Sequence, residues 1–461
     1  MRKIELHNTY SNTKKVFVPQ NPKKITMYVC GPTVYNYAHI GNARPAVVFD
    51  VLFRLLRFNY SDEAVIYARN ITDIDDKINN EAKKLNCSIE EIASKYKRIY
   101  AQDMKGIGVL PPTFEPLATE HISEIHSMIK NLVDNNYAYF SNNHVMFNIN
   151  SFNNYGQLSN RILEDDIAGA RVDVASYKKN PADFILWKPS SDELPGWKSP
   201  WGRGRPGWHI ECSAMIEKHL GKTIDIHGGG NDLIFPHHEN EIAQSECAHK
   251  GKKLANFWLH NGYVTIDKEK MSKSLGNSIT LNSLLKSYSG ETIRFTLLSA
   301  HYRQPLDWSD KALDQAKKTL ERMYSSLKNH LSIPYEKETP PDDTILNALC
   351  DDLNTPKALS ELSQLCKKLK TLSNKQQVSK LKNKIISSGK LMGLLQESNS
   401  DFLNPNLGDK ENKKINALIL DRNHARKNKD YKKADEIRAE LDELGIILED
   451  NNNQTIWRKK N

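Results

Sequence analysis

The sequence predicts an α/β protein: a parallel sheet of the nucleotide-binding kind, built in two halves around an insertion and followed by a mainly helical C-terminal third. Three observations carry this. Short apolar runs alternate with helical periodicity over residues 1–120. A second strand-and-helix half begins near Ile224, beyond a stretch of different composition. From about residue 311 the pattern turns polar and helical, with Lys, Glu and Leu dominant.

Each element has its own grounds. Ile25–Cys30, apolar but for Thr26, reads as a buried strand. Pro45–Leu56 has a wide apolar face at helical spacing. Ala64–Ala68 reads as the next strand. Strand, helix and strand at this spacing give a parallel βαβ unit, whose ligands lie beyond the C-terminal ends of the strands. Residues 121–205 form the insertion and close in a Pro-, Gly- and Trp-rich loop over 189–206. The second half covers 206–265, with a strand at Ile224–His227 running into Gly228-Gly229-Gly230. A linking region, 266–310, leads to a helical bundle over 311–400 and a small module over 401–461. There is no internal repeat and no low-complexity tract.

Composition limits the function classes. With 461 residues, several domains are expected. At 39% hydrophobic and 26% charged, the chain fits a soluble globular protein. No apolar run reaches the ~18 residues of a membrane span, and Met1-Arg2-Lys3-Ile4-Glu5-Leu6 lacks the apolar core of a signal peptide. Six irregularly spaced cysteines do not suggest a disulfide framework, so a reducing cytoplasm is expected. The net charge of +9 is unevenly placed: nine lysines and a single glutamate, Glu361, fall between Lys357 and Lys390. A lysine face there could meet a polyanion such as RNA. A solvated helix face is the plainer alternative.

Two constellations carry chemistry. Cys30, Cys212, His237 and Glu241 are candidate metal ligands, since thiolates with an imidazole suit Zn²⁺ and a carboxylate can complete a tetrahedron. His237 and Glu241, four apart, share one face of a helix, which directs His238 and Glu239 elsewhere. The alternative is two buried free cysteines beside a surface helix. The second constellation is His39-Ile40-Gly41-Asn42, between a strand and a helix. Gly41 lets a phosphate approach the backbone, the helix offers a positive N-terminus, and His39 could donate to a phosphate oxygen. Far downstream, Lys270 and Lys273 frame Met271, Ser272 and Ser274, a loop whose lysines could offset charge on a transferred group.

These residues resemble the class I aminoacyl-tRNA synthetases, and within them the cysteinyl-tRNA synthetase family. His39–Asn42 and Lys270–Ser274 match the two short class I signatures. Longer matches are more specific: Arg69–Lys77, Gly207–Met215, His227–Glu241 and, near the C-terminus, Arg426–Arg438. The likeness runs from about residue 2 to Trp457. One position departs: Asn42 stands where the family signature has histidine, and it cannot carry a positive charge.

The resemblance implies a split Rossmann-type catalytic domain in 1–120 and 206–265, with 121–205 as its connective insertion. It further implies that 266–310 carries the second signature, that 311–400 is tRNA-binding and helical, and that 401–461 binds the anticodon. Cysteine and ATP, arriving with Mg²⁺, would form an adenylate, and the cysteine would then pass to tRNA(Cys). Cys30, Cys212, His237 and Glu241 would bind one zinc ion, which selects the substrate thiol over the hydroxyl of serine. Trp208 would wall the cysteine pocket, with Thr33 and Asp232 contacting the substrate ammonium or carboxylate. His39, Gly41, Asn42 and Lys273 would hold ATP, with His39, Lys270 and Lys273 acting in catalysis. The insertion is too short for a large editing domain, and a monomer is expected. Two alternatives stay open: a cysteine–amino-sugar ligase of the same fold, and a catalytically dead RNA-binding paralogue.

Overall fold

A computed structural model describes residues 1–161, 175–266, 269–270, 278–330, 333–336, 338–396, 409–451 and 454–459. It divides into two units. The first comprises Met1–Asn282, Leu297–Ser309 and Asp343–Glu361; the second comprises Ser283–Thr296, Asp310–Asp342 and Leu362–Asn461.

The first unit opens with an antiparallel ribbon, β1 (Glu5–Asn8) and β2 (Thr13–Val16). The next strand, β3 (Ile25–Val29), is buried throughout, its one polar residue, Thr26, being hydrogen-bonded to Asp225. It leads into helix α1 (Ile40–Asn59) and strand β4 (Val65–Arg69), which pairs parallel with β3. Helices α2 (Asp76–Leu85) and α3 (Ile89–Gly106) follow. Thus α1 begins five residues before the predicted start at Pro45, because His39 and Asn42 cap it.

The insertion is a small layered body. Helix α4 (Ile122–Asp134) packs on an antiparallel sheet of β5 (Ala138–Ser141), β6 (His144–Phe147), β7 (Phe184–Pro189) and β8 (Gly204–Pro206). Ile125, Ile129, Val145, Phe147, Leu186 and Trp187 fill its core. The Pro- and Gly-rich loop is held by Arg203, whose guanidinium donates to the carbonyls of Ser190, Ser191 and Leu194.

The second half returns with helix α5 (Trp208–His219), strand β9 (Ile224–Gly230), helix α6 (Glu239–Ala248) and strand β10 (Ala255–Asn261). The completed parallel sheet has the order β10-β9-β3-β4, so the chain crosses from one half to the other between the two central strands. Helix α1 covers one face. Tyr67 meets Phe53 there at 5.3 Å, and a Cβ at Gly228 would lie 2.3 Å from the Phe49 ring, so glycine is required. Helix α5 covers the other face, where Tyr28 and Ala68 share a core with Met215 and Ile216. Short strands β11 (Val264–Ile266), β12 (Glu269–Lys270) and, after Leu297, β13 (Leu306–Trp308) form a three-stranded sheet.

The second unit is helical. Its α7 (Asp310–Lys328) and α8 (Lys375–Met392) precede a module of α9 (Asp409–Lys427), α10 (Tyr431–Glu443) and a hairpin of β14 (Ile446–Asn451) and β15 (Gln454–Lys459). Ile415, Ile419, Ile437, Leu441, Ile446 and Trp457 form the core of that module.

The predicted lysine face divides in two. Lys382 is buried and donates to the carbonyls of His330 and Ile333; Lys384 pairs with Asp342 at 3.2 Å; Lys390 lies 4.0 Å from the Tyr335 ring centroid. These three hold the fold together. Lys367, Lys368, Lys370, Lys375 and Lys380 of this unit are exposed. All six cysteines are free, and among the described residues no helix is long and apolar enough to cross a membrane.

Candidate active site

The C-terminal ends of β3, β4 and β9 open into a cavity of about 330 Å³. On its α5 side, four ligand-type side chains converge from separate elements. Cys30 directly follows β3, and its N–H donates to the carbonyl of Gly228 at 3.2 Å. The adjoining Gly31 has no room for a side chain: a Cβ would sit 1.7 Å from the carbonyl oxygen of Asn70. That close approach of the β3 and β4 ends fixes where Cys30 leaves the sheet. Cys212 projects inward from α5 and is buried. His237 sits in the turn before α6, and Glu241 in the first turn of α6.

The distances within this group are diagnostic. Cys30 Sγ and Cys212 Sγ are 3.8 Å apart, and His237 Nε2 lies 3.5 Å from Cys30 Sγ and 3.6 Å from Cys212 Sγ. Glu241 Oε1 is 3.3 Å from Cys30 Sγ. A tetrahedral ion with metal–sulfur bonds of ~2.3 Å and metal–nitrogen bonds of ~2.0 Å needs edges of about 3.8 Å and about 3.5 Å. The sulfur and nitrogen donors already stand at those edges. The His237–Glu241 edge, at 2.7 Å, is a hydrogen bond, shorter than the ~3.3 Å of a tetrahedral edge. The donor set therefore fits a thiophilic divalent ion.

Two further histidines, not singled out from the sequence, orient these ligands, and a third, His260, orients the neighbouring His238. His227, wholly buried on β9, meets Glu241 Oε2 at 2.6 Å. His209 Nδ1 is 2.9 Å from His237 Nδ1, leaving Nε2 of His237 to face the thiols. His260 Nε2 lies 2.8 Å from His238 Nδ1. Such contacts fix tautomer and ring orientation at metal sites. The expectation that His238 and Glu239 point elsewhere holds for Glu239 but needs correcting for His238. His238 Nε2 lies 3.3 Å from Cys30 Sγ, so Cys30, His227, His238 and Glu241 form a second possible donor group. It has one thiol, where the first group has two. Glu239 accepts from the backbone N–H groups of Gly156 and Ser159 and so secures the insertion. The reason is local: Cys30 Sγ lies within reach of both neighbouring rings, 3.5 Å from His237 Nε2 and 3.3 Å from His238 Nε2.

The electrostatics agree with this arrangement. Burial works to raise the Glu241 pKa, but His227 and His237 hold it well below the usual carboxylate range. Cys212 falls to about 6, chiefly through the hydrogen bond from Cys30, while burial pushes the Cys30 thiol up. Burial lowers His209 and His260 to about 3, keeping them neutral. Burial works to lower His237, but Glu241 and Cys212 raise it to about 10, so the metal-free pocket presents a carboxylate and a ready thiolate against a charged His237, with His209 and His260 neutral.

Trp208, the first residue of α5, stacks on His237 with ring centroids 4.2 Å apart and walls the cavity. Thr33 and Asp232 line the same cavity. So do His39, Gly41 and Asn42, but not as the predicted turn. His39 is the N-cap of α1, and Ile40, Gly41 and Asn42 form its first turn. His39 Nδ1 accepts from the Asn42 N–H at 3.3 Å, and Asn42 Oδ1 accepts from the His39 N–H at 3.2 Å. This is a capping box, which occupies the Asn42 side-chain oxygen and leaves the His39 proton on Nε2. The backbone around this cap is tied to the far side of the second signature: Ile40 N–H donates to Ile279, and Leu281 N–H to Ala38. Lys270 closes β12, paired with Thr265, and Lys273 lies outside the described residues.

A parallel sheet with an anion-ready helix start at one side and a thiol–imidazole–carboxylate cluster at the other defines a nucleotide-dependent activating enzyme, and the fold is that of the class I synthetases. Residues 16–318 match the family model of the tRNA synthetases class I (C) catalytic domain. Residues 345–396 match the DALR domain and 410–458 the cysteinyl-tRNA ligase anticodon binding domain. Among solved structures, the methionyl-tRNA synthetase of Mycobacterium tuberculosis with methionyl-adenylate is 13% identical, with a TM-score of 0.56 over 80% of this chain and 89% of that one. The LeuRS–tRNA–LeuAMS ternary complex of Agrobacterium radiobacter K84 agnB2 is 11% identical, with a TM-score of 0.59 over 82% of this chain and 84% of that one. These share the fold.

The family follows from closer relatives. A cysteine--tRNA ligase of Parvibaculum lavamentivorans is 54% identical over 99% of this chain and 98% of its own length. One from Maricaulis maris is 52% identical over the full length of both. The chain belongs to the cysteine--tRNA ligase family.

Proposed function

We propose that the chain charges tRNA(Cys) with L-cysteine in two steps. In the first, a cysteine carboxylate oxygen attacks the α-phosphorus of ATP, forming cysteinyl-adenylate as the bond to pyrophosphate breaks. In the second, a hydroxyl of the tRNA 3′-terminal adenosine attacks the cysteinyl carbonyl and AMP leaves. The observation that carries the amino-acid choice is the set of donor spacings around Cys30, Cys212, His237 and Glu241.

These four residues would hold one zinc ion, kept in register by His209 and His227. When bound, zinc supplies a thiophilic Lewis acid that prefers a thiolate to the neutral hydroxyl of serine. Pocket shape discriminates such near-isosteres poorly. Discrimination on the order of 10⁴ requires ~5.5 kcal/mol, at ~1.4 kcal/mol per decade. Trp208 closes the pocket over the substrate, and Thr33 and Asp232 take its polar groups.

On the nucleotide side, His39 Nε2 and the start of α1 receive the phosphates, which reach the enzyme with Mg²⁺. Lys270 and Lys273 bring positive charge to the pyrophosphate as it departs. Lys273→Ala should slow adenylate formation by about 10²–10³-fold, as loss of a charge-stabilising donor does, with zinc content unchanged. Equal ATP–pyrophosphate exchange rates would remove Lys273 from this role.

Residues 311–400 would meet the tRNA through the exposed lysines, and 401–461 would read the anticodon. The match of 410–458 to an anticodon binding domain favours tRNA over an amino-sugar acceptor. We place the protein in the cytoplasm as a monomer. Aminoacylation of a tRNA(Cys) transcript tests the reading; exchange without charging would favour the amino-sugar ligase, and absence of both would favour the inactive paralogue.

A further inference from the structure

Arg69, the last residue of β4, lines the cavity, yet the protein leaves much of its guanidinium unused. The residue is 4% exposed. Its Nη2 reaches Glu115 Oε1 at a long 3.4 Å, and its guanidinium carbon lies 5.4 Å from the Tyr100 ring centroid. Nε and Nη1 are buried and meet no partner at good hydrogen-bond geometry among the described residues, although the Tyr67 hydroxyl lies beside the guanidinium. Arginine stays charged at any working pH, so donors so poorly met in a buried position are costly. A native protein keeps such a group where a ligand completes it.

The fold says which ligand. Side chains alternate along a strand, so Arg69 shares a face with Tyr67. Tyr67 packs against Phe53 of α1, whereas Ala68 joins Tyr28 on the α5 side. Cys30 follows Tyr28 by two residues, so the thiol cluster and Arg69 lie on opposite faces of the sheet. Arg69 belongs instead with the start of α1, whose Asn42, Pro45 and Ala46 line the same cavity with Gly31 and Tyr100. A 20-residue helix presents a positive N-terminus there. Lys77 adds another cation to the lining, in which Asp232 is the sole acid among the described residues.

We infer that Arg69 is an ATP-contacting residue, its planar fork taking phosphate oxygens of the triphosphate at the start of α1. This rests on the ATP-dependent activation described above. As the bond between the α-phosphorus and the pyrophosphate oxygen breaks, negative charge accumulates on pyrophosphate. Arg69 offsets it through Nε–H and Nη1–H without giving up a proton. A bidentate fork suits this better than a point charge.

The test compares ATP with adenosine, which has the same base and ribose but no phosphate. Binding of each is measured by calorimetry for the wild type, Arg69→Lys and Arg69→Gln, with cysteine-dependent ATP–pyrophosphate exchange alongside. Arg69→Gln should weaken ATP binding at least about tenfold, the usual loss for a charged hydrogen-bond partner, and Arg69→Lys by less. Adenosine affinity, the KM for cysteine and zinc content should stay at wild-type values. Equal losses for ATP and adenosine would assign Arg69 a structural role and overturn the inference. A shift confined to the KM for cysteine or for tRNA would overturn it in favour of another anion. If Arg69→Gln does not fold, unaltered ATP affinity in Arg69→Lys still overturns it. A wild type that neither binds ATP nor exchanges would instead refute the activation reading itself.

Discussion

The two faces of the parallel sheet prepare for their ligands in opposite ways. On the α5 face, the thiols of Cys30 and Cys212 and the imidazole of His237 already stand at tetrahedral edges, with Glu241 beside them; His209 holds His237, and buried His227 holds Glu241. On the α1 face, Arg69 keeps poorly met donors, and Lys270, the one described residue of the second signature, closes β12. The difference follows from the tasks. Telling a thiol from a hydroxyl requires a centre fixed before the substrate arrives, since reorganisation would consume the discrimination. Activation instead has to follow charge as it moves onto pyrophosphate, so its groups are completed by ATP itself.

Breaking the fixed face should have the largest effect. Cys212→Ser should lose zinc and slow cysteine-dependent exchange by about 10⁴-fold, the discrimination asked of the metal; one zinc per chain remaining in this variant would show that the ligand set is wrong. Disturbing only the orientation of the cluster should cost less. His227→Ala should lower zinc affinity about 10–100-fold, read by chelator competition, with ATP binding unchanged. If zinc is held as tightly as before, His227 is a packing residue.

On the other face the effects should be smaller. Asn42→Ala breaks the capping box and should cost about 1 kcal/mol of stability, seen as a lower Tm with zinc content intact. An unchanged Tm would mean that the two hydrogen bonds contribute nothing net. Smallest of all is the change expected at the exposed lysines. Glutamate at Lys367, Lys368, Lys370 and Lys375 should flatten the salt dependence of tRNA binding by about one unit of slope for each phosphate no longer neutralised. Both faces should then still support exchange, whereas Lys382→Ala should lower Tm and leave the slope alone. The reverse pattern would mean that the exposed lysines form only a solvated face.

The sequence shows the fixed face only through its long stretches. The four candidate ligands are scattered across 212 positions from Cys30 to Glu241, and spacing alone favours buried free cysteines. What groups them is the surrounding pattern, from Gly207 to Met215 and from His227 to Glu241. His209, His227 and His260 lie in or near these stretches, but their roles depend on contacts between residues distant in sequence, such as His209 with His237. The early start of α1 is missed because histidine is an unusual N-cap, and its partner Asn42 reads as a departure from a signature rather than as half of a cap. Lys382 is missed for a related reason: a charged residue in a lysine-rich helix reads as exposed, and only the carbonyls of His330 and Ile333 make its burial tolerable. The βαβ order, the insertion and the helical C-terminal third are legible because each depends on local periodicity.

The central claim is that a metal held by two thiols selects cysteine before ATP activates it. The most direct test measures zinc content and ATP–pyrophosphate exchange with cysteine and with serine on the same purified sample, before and after chelation. The account predicts one zinc per chain and cysteine favoured over serine by on the order of 10⁴, with exchange lost when the zinc is removed and restored when it is returned. Full cysteine-dependent exchange from a zinc-free chain would contradict it.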